Sequence, residues 1–101
     1  MNPQMLRKLQ KMQKDMAKAQ KELDESVFEA TAGGGMVKVE VKGNREILSL
    51  DIDKDAIDPE DKDILQDTIL AAINDAMRQI EEASSDVMGS FTGGMGMPGL
   101  F

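Results

Sequence analysis

The chain reads as an α+β domain of order α-β-β-β-α, a three-stranded antiparallel meander between long N- and C-terminal helices. Two observations predict this. Apolar residues recur at helical spacing over both ends of the chain, and they alternate with charged residues in a short middle stretch. Glycine-rich breaks then divide the middle into hairpin-sized pieces.

The first helix is expected over residues 3–24. Asn2 suits the N-cap and Pro3 the first helical position, where a missing N–H costs nothing. Its apolar positions are Met5, Leu9, Met12, Met16, Ala19 and Leu23, a heptad seam within a sector of about 80°. Arg7, Lys11, Lys14, Lys18 and Lys21 repeat the same steps on the opposite side, with Lys8 off that line. So narrow a seam cannot hold a lone helix in water. It calls for a partner: a second copy, the C-terminal helix, or both.

Strands are expected over residues 27–32, 36–42 and 45–52. The second is the clearest, because Val37, Val39 and Val41 alternate with Lys38, Glu40 and Lys42. Gly33, Gly34 and Gly35 read as a hairpin connection. No Lys-Ser/Thr and no helix follows them, as a phosphate cradle would need. Gly43-Asn44 reads as a two-residue turn with positive φ at both positions. Leu48, Leu50 and Ile52 are assigned to the inner face of the third strand.

A long helix is expected over residues 59–88, capped by Asp58 and started by Pro59. Ile69, Ile73, Ala76, Ile80, Ala83 and Val87 form its seam. Leu65, Ala72 and Met77 widen it to suit packing on a sheet. Residues 1–88 are taken as one domain, and residues 89–101, rich in Gly and Met, as a flexible tail.

Composition narrows the function. With no Cys and no His, the chain lacks disulfides, thiolate nucleophiles and imidazole bases. Asp51-Ile-Asp53-Lys-Asp55 opens like a calcium loop, but Ala56 and Lys62 stand where Gly and Glu are required. An acidic strand end leading to a helix cap accounts for it. No catalytic site, metal site, cofactor or small-molecule substrate is expected. No stretch is of spanning length, and a membrane-surface role is disfavoured by the narrow seam and its lack of an aromatic anchor. A cytoplasmic location follows as an expectation.

The charge is uneven. Residues 1–21 carry six cations against Asp15, a balance of +5, whereas residues 22–101 carry −12, giving −7 overall. Two readings of the basic stripe stand side by side. It is a solvated face opposite a packing seam, or it is a contact for a polyanion. Its length of about 21 Å at 1.5 Å per residue spans several phosphates. Lysine outnumbers arginine, which suits phosphate rather than base edges, and no aromatic stands among these residues to stack on single strands.

The first helix LQKMQKDMAKAQKEL, the segment GGGMVKVEVKGN, LSLDID, the helix DILQDTILAAINDAMRQIEE and the tail ending PGLF together resemble the YbaB/EbfC family of bacterial nucleoid-associated proteins. The resemblance runs from about Leu9 to the end. It implies a tight, intertwined homodimer with helices protruding like tweezers, and binding of double-stranded DNA in the nucleoid. It also implies phosphate contacts at Arg7, Lys8, Lys11, Lys14, Lys18 and Lys21. The alternative is a protein-interaction module whose basic first helix docks an acidic partner.

Overall fold

The computed structural model describes residues 2–92, so of the expected tail only residues 93–101 lie outside them. Helix α1 spans Pro3–Glu25. Asn2 caps it as expected, its side-chain Oδ1 accepting from the Met5 N–H at 2.7 Å. Strands β1 (Val27–Ala32), β2 (Val37–Lys42) and β3 (Ile47–Ile52) form an antiparallel meander in the order β1-β2-β3. Two short 3-10 turns, Lys54–Ala56 and Pro59–Asp61, lead into helix α2, Lys62–Thr92. Asp58 does cap, but it caps the 3-10 turn, by accepting from the Glu60 N–H at 3.0 Å. Asp53 likewise accepts from the Asp55 N–H at 3.0 Å, so the middle member of the calcium-like triplet is a cap.

The core lies between α2 and the sheet. Val37, Val39 and Val41 are fully buried against Ala30, Ala72, Ala76 and Ile80. The alanines let the helix approach the strands closely. Burying each valine contributes about 1.5–3 kcal/mol. The Gln79 side-chain amide donates to the Glu29 carbonyl at 3.2 Å and fixes the flank of α2 over β1. Ile69, Ile73 and Met77 pack around this centre, as their spacing predicts.

Three expectations change in detail. First, the β2–β3 turn carries its positive φ at Arg45 (73°), not at Gly43 or Asn44. The Lys42 N–H donates to the Glu46 carbonyl and the Arg45 N–H to the Lys42 carbonyl, both at 2.8 Å. The loop is therefore three residues long, ending on a left-handed residue. Gly43 is required for another reason: a Cβ there would overlap the carbonyl oxygen of Leu23. The Gly43 N–H donates to Ser26 O at 2.8 Å and the Asn44 N–H to Asp24 O at 3.2 Å, so this turn is bonded directly onto the end of α1. Gly43→Ala is expected to cost about 2–4 kcal/mol, because backbone rather than a side chain must move. A urea unfolding midpoint checks it.

Second, β3 does not keep one alternating inner face. Glu40 pairs with Ser49 and Val41 with Ile47, which leaves Leu48 as the extra residue of a bulge. Leu50 and Ile52 remain opposite Val39 and Val37 on the helix-facing side. Leu50 is nonetheless 44% exposed and Ile47 47%. The cause is where α2 lies: it runs over β1 and β2 and leaves the inner face of β3 largely uncovered.

Third, α2 continues four residues beyond its expected end. Residues 89–92, assigned by composition to the flexible tail, are helical: Val87 and the half-buried Phe91, one turn apart, carry the same helix face through Gly89.

Candidate nucleic-acid interface

Helix α1 leaves the sheet as an arm. Its inner half packs on the C-terminal half of α2, where Gln20 and Leu23 stand with Ile80 and Ser84 around one cleft. The partner demanded by the heptad seam is thus α2 over this stretch. Leu23 is buried, and Ala19, Met16 and Met12 are half-buried. The result is an elongated molecule with principal extents of 69, 28 and 15 Å.

Seating the seam on α2 turns the opposite side outward. Arg7, Lys8, Lys11, Lys14, Lys18 and Lys21 are all exposed, so the structure brings every predicted stripe residue onto the surface of one arm. Only Lys11 is paired among the described residues, to Asp15 at 3.1 Å, with both side chains well exposed. An exposed pair of this kind contributes a few tenths of a kcal/mol, and Lys preceding the acid is the weaker order. The other five make no ion pair among the described residues.

Helix stability does not explain this charge order. The positive end of a helix dipole favours acids in the first turn, and the negative end favours cations in the last. Helix α1 has neither. Its six cations run from Arg7 to Lys21 along the middle of the helix, while Glu22, Asp24 and Glu25 sit at the C-terminal end. Only the acids at the negative end run against the dipole, so helix stability does not set this order. Asp15→Asn leaves helix stability within about 0.5 kcal/mol and frees Lys11. It is expected to tighten duplex binding about threefold to tenfold at low salt, measured by fluorescence anisotropy.

At its C-terminal end the stripe runs into acid, since Glu25 is four residues past Lys21 and Glu22 four past Lys18. Asp24 accepts from the Gln20 side chain at 2.9 Å, and Asp75 is bonded by Arg78. On the outer face of the sheet, Lys38 pairs with Glu29 at 3.4 Å and the Ser49 hydroxyl donates to Glu40 at 2.7 Å. That face is internally neutralised and offers no second basic surface. Sequence reasoning had no means of seeing Arg45, whose guanidinium reaches Met77 Sδ at 4.0 Å, because its place depends on the left-handed turn.

No helix among the described residues is long and apolar enough to cross a membrane. The YbaB/EbfC DNA-binding family profile matches residues 1–95. A nucleoid-associated protein of Alkaliphilus metalliredigens is 53% identical over 97 residues, covering 96% of this chain and 85% of its own. One from Oceanobacillus iheyensis is 56% identical over 97 residues, covering 96% and 93%. The fold is similar to the crystal structure of an uncharacterized Helicobacter pylori protein, with a TM-score of 0.74 and 27% identity over 91% of this chain and 98% of that one. The family is one of DNA-binding proteins rather than enzymes. With its meander, its paired long helices and a profile match over nearly its whole length, the chain belongs to the YbaB/EbfC DNA-binding family.

Proposed function

We propose that this protein binds double-stranded DNA in the bacterial nucleoid, as a homodimer, through phosphate contacts from the α1 stripe with weak sequence preference. The observation that carries the reading is the arm itself. Six exposed cations stand on α1, and Asp15 is the first acid in the chain. Arg7, Lys8, Lys11, Lys14, Lys18 and Lys21 are the contacts. Lysines bind phosphate as point charges and carry little base information.

The second subunit is argued from the uncovered half of the sheet. Ile47 and Leu50 on β3, Ile57 just after it and Leu70 on the near flank of α2 are all exposed. A shallow hollow bordered by Gln66, Asp67 and Ile69 opens beside Leu70. A contiguous apolar surface on so small a chain marks an interface, since a short chain buries too little by itself. A second copy contributes the same surface, and a two-fold contact satisfies both. The DNA-binding surface then consists of two arms, and each reinforces the other through effective concentration. The dimer carries the domain; residues 89–92 extend its last helix, and residues 93–101 have no assigned part in binding.

Gel shifts on duplexes of equal length but contrasting base composition test the reading. Affinities within a few-fold of each other at low salt are expected. Discrimination above about a hundredfold indicates base readout. No retardation of any duplex, with capture of an acidic protein instead, replaces DNA by a protein partner.

A further inference from the structure

The outer end of α1 carries apolar residues that no described residue covers. Met5 is 55% exposed and Leu9 38%, and Leu6 beside them is also exposed. Partial burial along the seam starts only at Met12. The reason is length. Ser84 of α2 stands beside Gln20 of α1. Eight residues further, at Thr92, α2 has advanced only about 12 Å along the arm, which places its described end near Met12. The Met5–Leu9–Met12 segment continues the α1–α2 seam at the same spacing, with no helix left among the described residues to pack on it.

Resting on the DNA reading above, we propose that this tip is a contact between neighbouring dimers, in which the α1 tips of two copies pair along Met5, Leu9 and Met12 while both lie on one duplex. Three features favour a second α1 as occupant. A 4-3 spacing is a helix-pairing pattern and is complementary to itself in an antiparallel overlap. Residues 93–101 hold four glycines and a proline and present no such period. Arg7, Lys8 and Lys11 lie along one lateral side of the same helix, so an antiparallel pair of tips can turn these cations of both copies toward the same phosphates.

Charge makes the contact conditional. Residues 1–14 contain Arg7, Lys8, Lys11 and Lys14 and no acid, so two tips repel in free solution. The apolar overlap is on the order of a few hundred Å², below the roughly 1,000 Å² of a stable interface. Phosphates neutralise the cations and hold neighbours close, which allows the small contact to form. Binding on long duplex is therefore cooperative, whereas the free protein stays dimeric.

The test compares two duplexes: one shortened until it accepts a single dimer, and one several times as long. The natural chain is expected to bind the long duplex cooperatively, roughly five- to fiftyfold more tightly per dimer. Met5→Gln with Leu9→Gln preserves every charge and alters only exposed positions. This variant is expected to lose the cooperativity while keeping its short-duplex affinity within about twofold. A chain ending at residue 92 should remain cooperative. Non-cooperative binding by the natural chain, or cooperativity that survives in the double variant, overturns the tip contact and leaves the DNA reading standing. Cooperativity lost on removing residues 93–101 assigns the seam to that segment and also overturns it. No binding to the short duplex at low salt removes the DNA reading and the tip contact together.

Discussion

Replacing Lys11, Lys14 and Lys18 together with Glu is expected to weaken duplex binding at least a hundredfold, with the dimer intact. Each reversal removes a phosphate contact and adds a repulsion, and both arms of the dimer carry all three. At 1.4 kcal/mol per tenfold, a hundredfold loss is about 2.8 kcal/mol, a modest demand on six reversed charges. The three side chains point away from the seam and are exposed, so neither α1 packing nor the β3 surface is disturbed. Sedimentation velocity of the variant without DNA should match that of the natural chain. A variant that binds normally places the contact elsewhere on the molecule.

The second large effect concerns assembly. Leu50→Asp is expected to convert a dimer of about 22 kDa, twice the 11.0 kDa chain, into monomer. Leu50 sits opposite Val39 on the face that α2 leaves open, so a carboxylate there remains hydrated in the single chain but is buried by a second copy. Light scattering reads the mass directly. Duplex affinity should fall with the dimer, since one arm lacks the reinforcement of the other. A Leu50→Asp protein that stays dimeric moves the interface off β3.

Much of the fold was legible from local chemistry. Asn2 followed by Pro3 marked the start of α1, and the Val-x-Val-x-Val run marked β2 to within a residue. The stripe could be seen as well, because a seam on one side of a helix places the residues half a turn away in solvent. What was not legible depended on contacts between distant residues. Nothing near Gly43 in sequence announces that Leu23 O lies against it, and nothing in Arg45 predicts a left-handed backbone. The alternation of Leu50 and Ile52 marks a buried face but not what buries it. In this chain α2 covers β1 and β2, and the leftover strand becomes the surface assigned to a second copy. The Gly-rich composition of residues 89–101 hid the last turn of α2, since a helix tolerates one glycine, here Gly89, at about 1 kcal/mol when its packing face continues on both sides.

That α1 binds the DNA backbone is tested most directly by the salt dependence of duplex affinity for the natural chain and the Lys11→Glu, Lys14→Glu, Lys18→Glu variant in parallel. Two arms carry twelve stripe cations, and with about half of them engaged at once, about six phosphate contacts per dimer, log affinity falls against log salt with a slope near −5. The variant should show a much shallower line wherever its binding can be followed. A slope near zero for the natural chain, or an equal slope for the two proteins, would contradict the assignment of DNA to the basic face of α1.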